Sequence, residues 1–172
     1  MTDTSTLPGP RSPEQVRRAR NQRRIGLGVL VLFVLAGALG TFGTRTGEST
    51  SSGGGYTVTV THPTVSRPGH AIRYEVEVKR PGGFDGPIKM RFSSAYFDLF
   101  DENSFGPAAE SETTTGAYDV YEFAPPPGDT FVVSSDTRVE PARQRGERGE
   151  VSVLDDAGRP VVTVTYRTRI FP

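Results

Sequence analysis

Between Ile25 and Gly43 the chain reads IGLGVLVLFVLAGALGTFG, nineteen residues without a charge. As an α-helix rising ~1.5 Å per residue, the run extends about 28 Å, close to the ~30 Å hydrocarbon core of a bilayer. A soluble core helix keeps a polar face over such a length, and this run has none. Its glycines weaken a helix in water but are tolerated in a bilayer. The expectation is a transmembrane helix over residues 25–43.

The charges around the run set its direction. Arg11, Arg17, Arg18, Arg20, Arg23 and Arg24 precede it, and only Arg45 follows closely. The positive-inside rule then places the N-terminus in the cytoplasm and everything after the helix outside. Arg23 and Arg24 flank the membrane and can reach up to anionic headgroups. Ala36 and Ala38 form an A-x-A pair, so cleavage near Ala38 is the competing reading. The apolar run continues through Leu39 and Phe42, which favours a retained anchor.

The formal net charge of zero hides two unequal parts. Residues 1–24 carry six arginines against two acids, whereas residues 56–172 carry thirteen basic residues against seventeen acids. A basic, proline-containing tail is expected to be mostly disordered. The mildly acidic remainder, expected outside the cell, argues against a nucleic-acid partner. The chain has no cysteine, which excludes a disulfide framework, thiolate metal sites and a cysteine nucleophile. Lysine occurs only at positions 79 and 89 while arginine is abundant, a composition typical of GC-rich genomes.

Residues 44–55, with TGESTSSGGG, supply no apolar surface and are expected to form a flexible linker. From Tyr56 onward the hydrophobic period becomes two. Tyr56–Thr61 alternates, and Ile72, Tyr74, Val76 and Val78 alternate with Arg73, Glu75, Glu77 and Lys79. Further strands are expected over Pro87–Ser93, Tyr118–Phe123, Thr130–Val139, Gly149–Leu154 and Pro160–Ile170, the last two joined by the turn Asp155–Arg159. About seven strands with Pro/Gly turns define an all-β domain over residues 56–172. The expected fold is an antiparallel immunoglobulin- or fibronectin-III-like sandwich, with a small barrel as the alternative.

Ser94–Gly116 has no strand pattern, and loops of this length in compact domains are commonly functional. Tyr96, Phe97, Phe100 and Phe105 can share one side of a short helical turn. They are candidates either for a partner-binding patch or for a plug at one end of the sandwich. Asp98, Asp101 and Glu102, with Asn103, cluster hard oxygen ligands of the kind a divalent cation takes, though not at EF-hand spacing. His62 and His70 are the only histidines, and no serine, metal or lysine catalytic motif accompanies them. Arg143, Arg145 and Arg148 read as a solvated loop, and Arg167 and Arg169 as edge-strand charges that discourage unwanted pairing.

In layout, the arginine-flanked span, the Gly/Ser segment and the strand pattern together resemble uncharacterised actinobacterial single-pass envelope proteins with an immunoglobulin-like ectodomain. The resemblance implies an accessory or interaction role in the cell envelope. The expected function is therefore a membrane-anchored, non-catalytic interaction module, with no cofactor, that contacts the bilayer through residues 25–43 and a membrane or envelope protein through its domain. A domain binding cell-wall glycan or a divalent cation is the alternative, and a hydrolase with a dispersed site a weaker one.

Overall fold

The computed structural model describes residues 13–39, 43–101, 105–142 and 145–171. It divides into two units, residues 1–43 and 44–172. The first holds a single helix, α1 (Pro13–Ala38). Pro13 opens it, a position where proline's missing N–H is unneeded and its fixed φ already helical. The basic stretch Arg17–Arg24 is thus helical and continuous with the apolar stretch, where the sequence predicted a mostly disordered tail. Among the described residues, no helix is long and apolar enough to cross a membrane. The described apolar part, Ile25–Ala38, spans only about 21 Å at the helical rise; Gly40–Phe42 of the predicted span lie outside the described residues.

The second unit is built of two five-stranded sheets. Its elements are β1 (Arg45–Gly53), β2 (Tyr56–Ser66), β3 (Ala71–Lys79), β4 (Ile88–Ser93), α2 (Ser94–Phe97), β5 (Ser111–Thr115), β6 (Tyr118–Phe123), β7 (Thr130–Arg138), β8 (Arg148–Leu154), β9 (Pro160–Arg167) and β10 (Arg169–Ile170). The first sheet runs β1-β2-β3-β7, and the second β5-β6-β4-β8-β9. All neighbours are antiparallel except β10, which pairs in parallel with β2 at Val65–Ser66. Strand β2 pairs with β3 only through Thr61. Beyond that point it reaches β10, the continuation of β9, so one strand links the two sheets.

Alternation explains why one core serves both. Val58, Val60, Tyr74, Val76 and Val78 turn inward from the first sheet to meet Ile88, Met90, Phe92, Val151 and Val153 from the second. Fully burying such a side chain contributes about 1.5–3 kcal/mol. The opposite faces carry Glu75, Glu77, Lys89 and Arg91, half-buried and ion-paired with neighbours on the same face.

The Gly/Ser-rich segment corrects the sequence reading. It is an edge strand, β1, paired with β2 from Gly53↔Tyr56 to Arg45↔Val65. Gly54 and Gly55, at φ 58° and 82°, make the tight turn that returns the chain antiparallel. Hydroxyl pairs between the strands, Thr50 with Thr59 at 3.1 Å and Ser52 with Thr57 at 3.0 Å, stand in for apolar cross-strand contacts. The domain therefore begins at Thr44 rather than Tyr56. The polar stretch after Glu110, also read as strandless, forms β5 against β6.

Strand direction gives the domain two distinct ends. Arg45, Ser66, Ala71, α2, Arg148 and Ile170 lie at the end where the chain enters. The turns around Gly54, Gly83, Gly128 and Gly158 lie at the other. Shortening the domain tests the boundary: a chain starting at Tyr56 should be ~2 kcal/mol or more less stable than one starting at Thr44, because β1 hydrogen bonds are lost along the whole of β2. Equal denaturant midpoints would contradict the assignment of β1.

Candidate interaction surfaces

The aromatic residues of the Ser94–Phe105 segment prove to be core. Tyr96 is fully buried, Phe97 and Phe100 are each 6% exposed, and Phe105 is half-buried. Tyr96 and Phe97 sit on α2, whose single turn is closed by Asp98 N–H donating to the Ser94 carbonyl at 3.0 Å. Phe97 meets Phe92 and Tyr74 edge-on at 5.7 and 5.3 Å. Phe105 stacks on Phe92 at 5.0 Å and meets Tyr121 edge-on at 5.0 Å. The partner-binding reading of these four rings is thereby corrected: they face inward and close the entry end.

The same segment covers the open edge of β7. Gly106 and Ser134 exchange backbone bonds of 2.8 and 2.9 Å, and Asp101 N–H donates to the Arg138 carbonyl at 3.0 Å. A free edge would otherwise offer its backbone groups to another strand. Asp98 and Asp101 are exposed, and Glu102 lies outside the described residues. Among the described residues no group of three His, Cys, Asp or Glu side chains comes together in a way that could hold a metal.

Beneath α2 lies a chain of buried polar contacts. The Tyr74 and Tyr166 hydroxyls are 2.6 Å apart, and the Tyr96 hydroxyl meets Thr168 Oγ1 at 2.8 Å. Thr168 in turn donates to the Pro63 carbonyl at 2.6 Å. Burial raises the pKa of all three tyrosines, so they stay neutral donors and acceptors. His62 packs against Tyr166 at 4.9 Å. Its Nδ1 lies 3.2 Å from the Pro63 carbonyl and its Nε2 3.2 Å from Ser49 Oγ on β1. A donated Nδ1–H and an accepting Nε2 satisfy both, which fixes the neutral tautomer. Burial holds its pKa below the ordinary 6.5, against the opposing bond to Pro63. His62 is thus a fastener between β1, β2 and β9. Gly149 serves the same cluster, since any Cβ there would fall on the Tyr166 ring.

Several concave surfaces also line the domain. At the loop end, a cleft of about 380 Å³ lies among the turns, with Tyr56, Arg80, Phe84, Asp85, Lys89 and Asp156 on its walls. Tyr56 and Phe84 are 6.4 Å apart, and the Arg80 guanidinium lies over the Tyr56 ring at 5.4 Å. The same arginine pairs with Asp85 at 2.7 Å. Nearby, Asp155 closes the β8–β9 turn; the backbone N–H of Arg159 foremost holds its carboxyl below the usual range. The cleft therefore sets aromatic rings beside charged groups, a combination common at protein interfaces. No strand was expected over Pro81–Gly86, and the lone Phe84 among its glycines was the available signal. A second groove, about 510 Å³, crosses the first sheet beside Arg73, Asp136 and Arg138.

Pairing on the sheet faces is orderly. Arg91 bonds Glu150 at 2.9 Å and lies 4.3 Å from the Tyr118 ring centroid. Arg73–Glu75 and Lys79–Glu77 are each 2.7 Å, and Lys89–Glu122 is 3.9 Å. Arg145 and Arg148, like Arg167 and Arg169, are exposed, and Arg143 lies outside the described residues. On α1, Arg23 and Arg24 are exposed and immediately precede the apolar stretch. No protein-family model matches the chain, and no curated protein is similar to it.

Two measurements probe this arrangement. Phe97→Ala should lower unfolding stability by about 3–5 kcal/mol, the cost of a large core cavity; a change under ~0.5 kcal/mol would mark a surface residue. His62 binds its proton less readily folded than unfolded, so the unfolded state gains protons first as pH falls below 6.5. Stability is therefore full above that pH and declines through the window beneath it. Denaturant midpoints between about pH 7.5 and pH 5.5 should fall for the native chain and stay flatter for His62→Gln; identical slopes would remove the histidine from the account.

Proposed function

We propose that the chain is a single-pass membrane protein whose β domain is a non-catalytic extracytoplasmic interaction module, an accessory subunit of an envelope complex. The observation that carries this reading is a helix apolar on every side. Ile25, Leu27, Val29, Leu30, Leu32, Phe33, Val34 and Leu35 are each more than half exposed in the helical unit. At 100° per residue they point in all directions around the axis. Such a surface needs cover all round, which a bilayer supplies. The described helix is short for a full crossing, and the uncharged sequence continues to Gly43. The arginines before the run support a cytoplasmic N-terminus.

For the domain, the strand order supports an immunoglobulin- or fibronectin-III-like sandwich. The three-strand run β2-β3-β7 and the four-strand run β6-β4-β8-β9 follow that arrangement, with β1 and β5 added outside. Of the two histidines, His62 has both ring nitrogens in structural contacts, and His70 is exposed in the β2–β3 turn. The loop-end cleft, at the opposite end of the domain from Thr44, is the contact surface we favour for the partner.

Because the chain has no cysteine, single-cysteine labelling reads its topology cleanly. In intact cells an impermeant maleimide should label Thr163→Cys and leave Ser5→Cys unlabelled, with both chains resisting carbonate extraction. Release of a shortened chain beginning near Leu39 would contradict the anchor. A photo-crosslinker replacing Phe84 should capture one stoichiometric protein, whereas the same group at Thr59 captures none. Silence at both positions would overturn the interaction role.

A further inference from the structure

The basic residues of the domain are sorted by place. On the sheet faces and at the loop end, lysines and arginines are held by acids, Arg80 by Asp85 and Arg159 by Asp155 among them. At the entry end the pattern reverses. Arg45, Arg145, Arg148, Arg167 and Arg169 are all exposed, and none makes an ion pair among the described residues. Arg148 and Arg167 even stand directly opposite one another on neighbouring strands. Like charges in that position destabilise a sheet. Arg45 and Arg169 flank Val65 from its two sides. Phe171 follows, its backbone N–H bound to the Ser66 carbonyl at 3.0 Å and its ring 53% exposed. Acids at this end include Glu147, beside Arg148, Asp98, Asp101 and Glu140 near α2, and Asp119 near the start of β6.

A cluster of unneutralised guanidinium groups around an exposed aromatic ring is the composition of a membrane-contacting surface. Its location fits as well. Only six residues separate Ala38, the last of α1, from Arg45, the first of β1. At ~3.5 Å per residue they reach about 20 Å at most. We infer that the entry end of the β domain docks on anionic lipid headgroups, with Phe171 at the headgroup boundary and the arginines on phosphate. This inference rests on the anchor proposed above. Docking holds the domain upright and presents the loop-end cleft away from the bilayer.

The chain contains no tryptophan, so Phe171→Trp adds a sole indole reporter. The full-length chain carrying it would be reconstituted into vesicles of phosphatidylcholine, with or without phosphatidylglycerol. With phosphatidylglycerol, its emission should shift to shorter wavelength and be quenched by headgroup spin-labelled lipid at least twofold more than in phosphatidylcholine alone. Raising salt to ~1 M, where screening acts within ~3 Å, should abolish the difference. So should Arg148→Glu with Arg169→Glu. Arg148→Glu also places a carboxylate opposite Arg167, so its melting temperature should hold or rise while lipid contact falls. Equal quenching in both vesicles, or quenching unmoved by salt and by the double variant, would overturn docking while the chain still floats with the vesicles. A chain that does not float with them would overturn the anchor, and docking with it.

Discussion

Two sheets that share one core leave gaps at its ends, and whatever closes them must not strand buried backbone groups. Here the entry end is closed by rings. Tyr96 and Phe97 on α2 descend onto Phe92, Tyr74 and Tyr166, and the three tyrosine hydroxyls find partners in each other and in Thr168. The paired hydroxyls let these tyrosines fill the space between sheets with their own polar atoms satisfied. Thr168 then carries the bonding to Pro63, at the point where β2 passes from β3 to β10. The linkage of the two sheets depends on this cluster, and His62 extends it to β1.

The sequence made the strands with apolar alternation plain. Val76 and Val78 against Glu75 and Glu77 could face only one way in a half-buried sheet, and β2, β3, β4, β6, β7, β8 and β9 fall where that period predicted. Strands β1 and β5 were invisible for the same reason. Arg45–Gly53 and Ser111–Thr115 bury no large apolar side chain, so their pairing rests on backbone bonds and hydroxyl contacts that periodicity does not register. The Gly54–Gly55 turn was the one local sign of a hairpin. It was outweighed by the resemblance of a Ser/Gly stretch to a linker.

The aromatic segment shows a different limit. Composition alone suits both a docking patch and a core plug, because the same rings dominate both. What decides is where the chain before and after them is pinned, and that is tertiary information: the Gly106–Ser134 bridge and the Asp101–Arg138 bond draw the segment onto β7. The loop-end cleft was equally hidden, since Tyr56 starts β2 whereas Arg80 and Phe84 lie in the β3–β4 connection. The entry-end arginines were individually visible and individually bland. Only the parallel pairing of β10 with β2 brings Arg45 and Arg169 together.

Moving the domain boundary back to Thr44 shortens the stretch between α1 and the β domain. Ten flexible residues would average roughly 17 Å end to end, whereas a folded β1 leaves six residues between Ala38 and Arg45. The central claim is therefore that Arg45–Gly53 is folded strand. Amide hydrogen exchange of the full-length protein measures this directly. The account predicts protection along Thr46–Ser52 on the side paired with β2, approaching that of β3. Exchange of those amides at the rate of an unstructured peptide would contradict it.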